Sequence, residues 1–155
     1  MLTTGSPAPQ MVLEDTTGQT VRLSDYQGQH AVLVFFVRST SCPVCAAHVR
    51  DLVDRADELA ADDVLVLIAV PEDRETAAAW KAKRRIPFPV LTGRRESPHE
   101  MVGLGKKVFG SLQQSGSVLV DRQGIVRHAH GATMPTGSYD KKGIAAAIAS
   151  LRTPA

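Results

Sequence analysis

The 155-residue chain contains two cysteines, Cys42 and Cys45, with Pro43 and Val44 between them. Thiols at this spacing in the first turn of a helix can come within bonding distance without backbone rearrangement, so the pair can cycle between dithiol and disulfide. The flanking sequence predicts such a position. Ala31 to Val37 (Ala-Val-Leu-Val-Phe-Phe-Val) is apolar on both faces and reads as a central buried strand, ending at Arg38-Ser39-Thr40-Ser41. From Pro43 to about Ala61, Val49, Leu52, Val53, Ala56, Leu59 and Ala60 recur at helical spacing, with Arg50, Asp51, Asp54 and Arg55 opposite as i,i+4 ion pairs. Cys42 therefore falls at a helix N-terminus. Unpaired N–H groups and the helix dipole stabilise an anion there, so its thiol is expected to ionise more readily than a free one. Pro43 suits the first helical position because its missing N–H costs nothing there. Cys45, one turn inward, is the natural resolving thiol.

Other readings of the pair are two unrelated buried cysteines or half of a zinc site. Zinc needs two more ligands; His48 is the nearest candidate, and no second cysteine pair exists. Covalent haem attachment requires His directly after the second Cys, where Ala46 stands. A domain of this length builds one hydrophobic core without a disulfide staple, which favours a reactive role for the thiols. The N-terminus has neither a basic start nor an apolar block, and the longest apolar run is far short of a bilayer span. A cytoplasmic location, with no membrane partner, is expected. A net charge of +2, with both signs mixed along the chain, argues against a nucleic-acid partner. The basic run Lys81 to Arg85 reads as a solvated helix terminus, and Arg94-Arg95 follows it. His128 and His130 share one face of a presumed strand, Trp80 reads as packing or a surface anchor, and no metal or cofactor is expected.

The remaining elements supply the scaffold. Met11 to Leu13 and Thr20 to Leu23 read as a hairpin around Gly18. Val64 to Val70 is a second apolar strand, Asp73 to Arg85 an Ala-rich helix, and Ile86 to Leu91 a turn with a short strand. Strand, helix, strand, helix implies parallel strands with right-handed crossovers. Ser97-Pro98-His99-Glu100 resembles a capped helix start, weakened by Gly103 and Gly105. Ser117 to Val120 and Ile125 to His130 flank a turn at Asp121-Arg122-Gln123-Gly124, and Ile144, Ala147, Ile148 and Leu151 mark a C-terminal helix. No linker interrupts residues 1–155, which read as one domain.

Gly5-Ser6-Pro7-Ala8-Pro9, Leu13-Glu14-Asp15-Thr16-Thr17-Gly18 and Val21 to Gly28, leading into an apolar strand and Cys-x-x-Cys, resemble the redoxin branch of the thioredoxin superfamily. That branch contains the alkyl hydroperoxide reductase/thiol-specific antioxidant (AhpC/TSA) proteins, and the resemblance extends over about residues 5–151. It implies a thioredoxin-like α/β sandwich: a central mixed sheet flanked by helices, with an N-terminal β-hairpin extension. It also implies cysteine-based redox chemistry. Peroxiredoxins carry Thr or Ser three residues before the peroxidatic Cys, which places Ser39 in that role; their Pro seven residues before it is replaced by Phe35. Six residues before the hairpin Asp121, peroxidases carry Arg and thioredoxin-type reductases a cis-Pro, whereas this chain has Ser115. Arg38, four residues before Cys42, and Gln113-Gln114-Ser115-Gly116 are similar to a peroxiredoxin-like subgroup with a Cys-x-x-Cys motif.

The expected activity is peroxide reduction by a Cys42/Cys45 dithiol/disulfide cycle, with Arg38 favouring the thiolate or orienting substrate and Ser39 hydrogen-bonding the reacting oxygen. A peroxide or disulfide is the expected substrate, a thioredoxin-like protein or a small thiol the reductant, and a monomer or homodimer the assembly. The rival readings are a thioredoxin-like protein disulfide reductase and a noncatalytic binding or redox-sensor module.

Overall fold

The structure, a computed structural model, describes residues 2–94, 96–107 and 112–152; Arg95 of the second basic cluster lies outside them. The apolar run forms β3 (Ala31–Phe36), every residue of which is buried. It lies between β4 (Val64–Ala69), which is parallel to it, and β8 (Ser115–Val120), which is antiparallel. The N-terminal hairpin, β1 (Val12–Glu14) and β2 (Thr20–Arg22), pairs through β1 with β5 (Val90–Gly93). A seven-stranded sheet results, in the order β2-β1-β5-β4-β3-β8-β9, with β9 at Val126–Ala132. The hairpin extension is thus an edge of the main sheet. A separate two-stranded ribbon joins β6 (Lys106–Lys107) to β7 (Leu112–Gln113).

Parallel neighbours need crossovers. Helices α1 (Pro43–Asp54) and α2 (Ala56–Ala61) connect β3 to β4, and α3 (Arg74–Arg84) connects β4 to β5. Two right-handed crossovers advancing the same way across a sheet place their helices on the same face. Accordingly Leu33, Phe35 and Val37 pack in one cluster with Cys45, Val49 and Leu52 of α1 and with Ala77 and Trp80 of α3. Ile144 and Ile148 of α5 (Lys141–Leu151) complete that layer. Val32, Val34 and Phe36 point the other way, onto Met11, Leu13, Val102 and Leu104. Gly116 lets β8 and β9 approach closely, since a Cβ there would collide with the His130 carbonyl.

Two local expectations are corrected. The helix expected to run from Pro43 to about Ala61 breaks at Arg55, whose φ of −101° and ψ of 9° end α1. Arg55 pairs with Asp51 at 3.3 Å, and Asp57 and Glu58 then fall in the first turn of α2, where acidic residues complement the helix dipole. The helix α4 (Pro98–Met101) does begin at Pro98, but its Ser97 side chain makes no capping bond and its hydroxyl is buried without a partner. Trp80 is core packing, only 6% exposed.

Candidate active site

The strand end, the loop after it and the start of α1 bring the two thiols together. Cys42 is the N-cap of α1, with Pro43 at the first helical position, and the Cys45 backbone N–H donates to Cys42 Sγ at 3.2 Å. The Cys42 sulfur thus accepts a backbone hydrogen bond at the N-terminus of α1. Both thiols are free. Cys42 retains 5% of its surface while Cys45 retains none, so a small oxidant can reach only the first.

Cys45 sits in a different environment. Burial pushes its thiol up to about 12, and the adjoining Cys42 side chain acts in the same direction. Opposing this, the Arg38 backbone N–H donates to Cys45 Sγ at 3.4 Å, and the Ser39 backbone also favours the charged form. At neutral pH Cys45 is therefore a protonated thiol held against Cys42.

The structure places Arg38 and Ser39 in the loop that leads to Cys42, and Cys45 in the first turn of α1. Arg38 reaches Cys45 through its main chain. The Ser39 hydroxyl is engaged by Ser41 Oγ at 3.0 Å, and the Ser39 carbonyl accepts from the Cys42 N–H at 3.3 Å. Ser115 is fully buried, and its hydroxyl has no partner among the described residues. Phe35 pairs with Ser117, so Ser115 and Ser117 share the sheet face that α1 covers.

Several groups that sequence reasoning missed hold the loop. Glu72, just beyond β4, accepts from Thr40 N at 2.8 Å and from Thr40 Oγ1 at 2.6 Å. His99 donates from Nε2 to the Val37 carbonyl at 2.6 Å and stacks edge-on against Phe36. Tyr139 donates to Asp51 of α1 at 2.7 Å, and its ring lies 5.2 Å from that of His48. The signal for Glu72 was its place directly after a buried strand; nothing local marked His99 beyond its place in a helix start. His48 is packed between Phe35 and Tyr139, and among the described residues no cluster of three potential metal ligands exists. His128 and His130 lie 6.4 Å apart on β9, where His130 Nε2 donates to the Gly137 carbonyl.

Replacing Glu72 by Ala removes the acceptor for both Thr40 donors. The expected loss is roughly 1.5–3 kcal/mol of stability, as for hydrogen bonds to a charged group, read from urea unfolding midpoints. Thr40→Val should show most of the same loss.

Beside the cysteines, Pro43, Ala46, Ala47, Arg50, Trp80 and Arg84 border a cleft of about 300 Å³ that also touches Val49, Val53 and Ile86. A larger cavity of about 910 Å³ opens around Ala31, Asp63 and Arg122, at the opposite end of β3.

A thiol pair on the first turn of the helix after a central strand, within this sheet order, defines a thioredoxin-like redox fold. The AhpC/TSA family pattern matches residues 4–129, and the chain belongs to that family. It is 32% identical over 132 residues to the peroxiredoxin Bcp of Escherichia coli, covering 82% of this chain and 84% of that one. Its identity to peroxiredoxin Bcp of Bacillus subtilis is 29% over 125 residues, covering 77% and 79%. In three dimensions the peroxidoxin BcpB of Mycobacterium tuberculosis superposes with a TM-score of 0.80 at 19% identity, over 100% of this chain and 99% of that one. Among the described residues no helix is long and apolar enough to cross a membrane.

Proposed function

We propose that this protein is a thiol peroxidase of the peroxiredoxin type. The observation that carries the reading is the asymmetry of the pair. Cys42, at a helix N-cap, keeps 5% of its surface and receives an N–H bond, whereas Cys45 is wholly buried and protonated beside it. Relatives named as peroxiredoxins support the reading.

The Cys42 thiolate attacks one oxygen of the peroxide. The O–O bond breaks, the leaving alkoxide or hydroxide takes up a proton, and Cys42 becomes a sulfenic acid. Cys45 then attacks the sulfenic sulfur and gives up its proton, the S–O bond breaks, water leaves and the intramolecular disulfide forms. A thioredoxin-like protein or a small thiol returns the two electrons. No resident cofactor takes part, and a reducing, cytoplasmic compartment keeps the resting state as the dithiol. Residues 1–155 act as one domain. Ser39 and Arg38 serve mainly through their backbones, in the turn to Cys42 and the hydrogen bond to Cys45.

The same dithiol geometry suits exchange with protein disulfides, so the test runs both activities on one preparation. Peroxide consumption coupled to a thioredoxin system is expected to be catalytic, and insulin-disulfide reduction no faster than with Cys45→Ser. Efficient insulin reduction without peroxide turnover contradicts the proposal and assigns a disulfide reductase.

A further inference from the structure

His99 has no part in the chemistry above, yet it is fully buried and lies 62 residues along the chain from the loop it contacts. Its acceptor is the Val37 carbonyl, which only accepts, so Nε2 carries the ring proton and Nδ1 is bare. Nδ1 is buried and has no partner among the described residues, and burial holds the ring's pKa down to about 4. The ring is therefore a neutral donor of fixed tautomer at any pH where the enzyme would work.

The carbonyl of Val37 and the N–H of Arg38 belong to one peptide unit. At one end it accepts from His99 at 2.6 Å; at the other it donates to Cys45 Sγ at 3.4 Å. Val37 itself is fully buried, and its own N–H is tied to the Ala69 carbonyl, so β4 fixes one side of this unit. Beyond β3 no backbone N–H among the described residues donates to the Val37 carbonyl, and His99 supplies a donor there. A donor on the carbonyl polarises the peptide and strengthens its N–H as a donor. It also opposes a flip of the peptide plane, which would turn a carbonyl lone pair toward the sulfur.

We propose that His99 is a positioning residue for the resolving thiol: through the Val37–Arg38 peptide it holds the N–H that stabilises Cys45 as it gives up its proton to attack oxidised Cys42. The proposal rests on the peroxidase reading for the step it affects, but the peptide geometry stands without it. The atoms balance as in the resolving step: Cys45 S–H loses a proton, the S–S bond forms, the Cys42 S–O bond breaks and water leaves. His99 exchanges no proton and no electron. Among the described residues, Cys42 is the one ionisable side chain that shifts Cys45, so a change on altering His99 has few competing sources.

The test separates the two steps by rapid mixing of reduced protein with hydrogen peroxide, following intrinsic fluorescence from Trp80. His99→Phe keeps the bulk and edge-on contact but removes the donor; His99→Gln restores an N–H donor. With His99→Phe the peroxide-dependent first phase is expected to stay within about twofold. The peroxide-independent second phase should slow about tenfold or more, the scale of losing one hydrogen bond to a developing charge. His99→Gln should recover most of that loss. In the Cys42→Ser background, ultraviolet thiolate absorbance should show Cys45 titrating higher with His99→Phe than with His99. An unchanged second phase and an unchanged Cys45 titration overturn the proposal, as does an equal slowing of both phases. Should the substitutions prevent folding, nitrogen-15 spectra of the unsubstituted protein decide. The Arg38 amide is expected to shift when Cys45 is oxidised with diamide, and an amide insensitive to that change overturns the proposal. Absence of the peroxide-dependent phase in the unsubstituted protein is instead a failure of the peroxidase reading, while the titration and amide measurements still judge His99.

Discussion

Cys42→Ser is expected to lower peroxide turnover by more than about a thousandfold, because no other nucleophile can take its place. Cys45 is fully buried and held as a thiol by a pKa raised to about 12, so it cannot meet peroxide directly. The serine hydroxyl can still cap α1 by accepting the Cys45 N–H, so stability should change little. Coupled peroxide assays beside thermal unfolding separate loss of chemistry from loss of fold. Residual turnover above about a tenth of the original would mean that Cys42 is not the peroxide-reactive group.

Acidification should expose the second large effect. His99 has its pKa lowered to about 4 by burial, against 6.5 for an unperturbed ring. Below about pH 6.5 the unfolded chain therefore binds a proton that the native state refuses, and stability rises with pH in that window. Stability attributable to neutral His99 is complete above pH 6.5 and is lost as pH falls from 6.5 toward 4. The interval corresponds to roughly 3 kcal/mol, or more than a hundredfold in the folding equilibrium. His48 and His128 are also lowered by burial and contribute in the same direction. Their share is removed by comparing unfolding of the original protein with that of His99→Phe across this range. The original should lose stability more steeply; parallel profiles would show that His99 is readily protonated in the native state.

The range of each interaction decides how far the local sequence encodes it. The Ala31–Phe36 strand, the α1 start at Pro43 and the N-cap position of Cys42 depend on neighbours within a turn or a strand, and composition and spacing encode them. The family resemblance added the sheet, and the hairpin found its place on β5. The groups that hold the active loop come from far along the chain: Glu72 lies 32 residues from Thr40, His99 62 from Val37 and Tyr139 88 from Asp51. Pairings at such separations depend on which strand ends meet, which no local pattern records. The hydrogen bond from Arg38 to Cys45 comes from a backbone N–H that any residue but proline would supply, so the residue type does not announce it. The break at Arg55 has no Gly or Pro to announce it, and beyond it Leu59, 7% exposed, still packs on the core.

That the Cys42 thiol at the start of α1 reduces peroxide is a statement about its rate of oxidation. Stopped-flow oxidation of the reduced protein by hydrogen peroxide tests it most directly, followed through Trp80 fluorescence and quenched samples analysed by mass. A rapid phase is expected, first order in peroxide and absent in Cys42→Ser, which leaves a Cys42–Cys45 disulfide in the original protein and a Cys42 sulfenic acid in Cys45→Ser. Oxidation no faster than that of an unperturbed cysteine, or equally fast in Cys42→Ser, would contradict it.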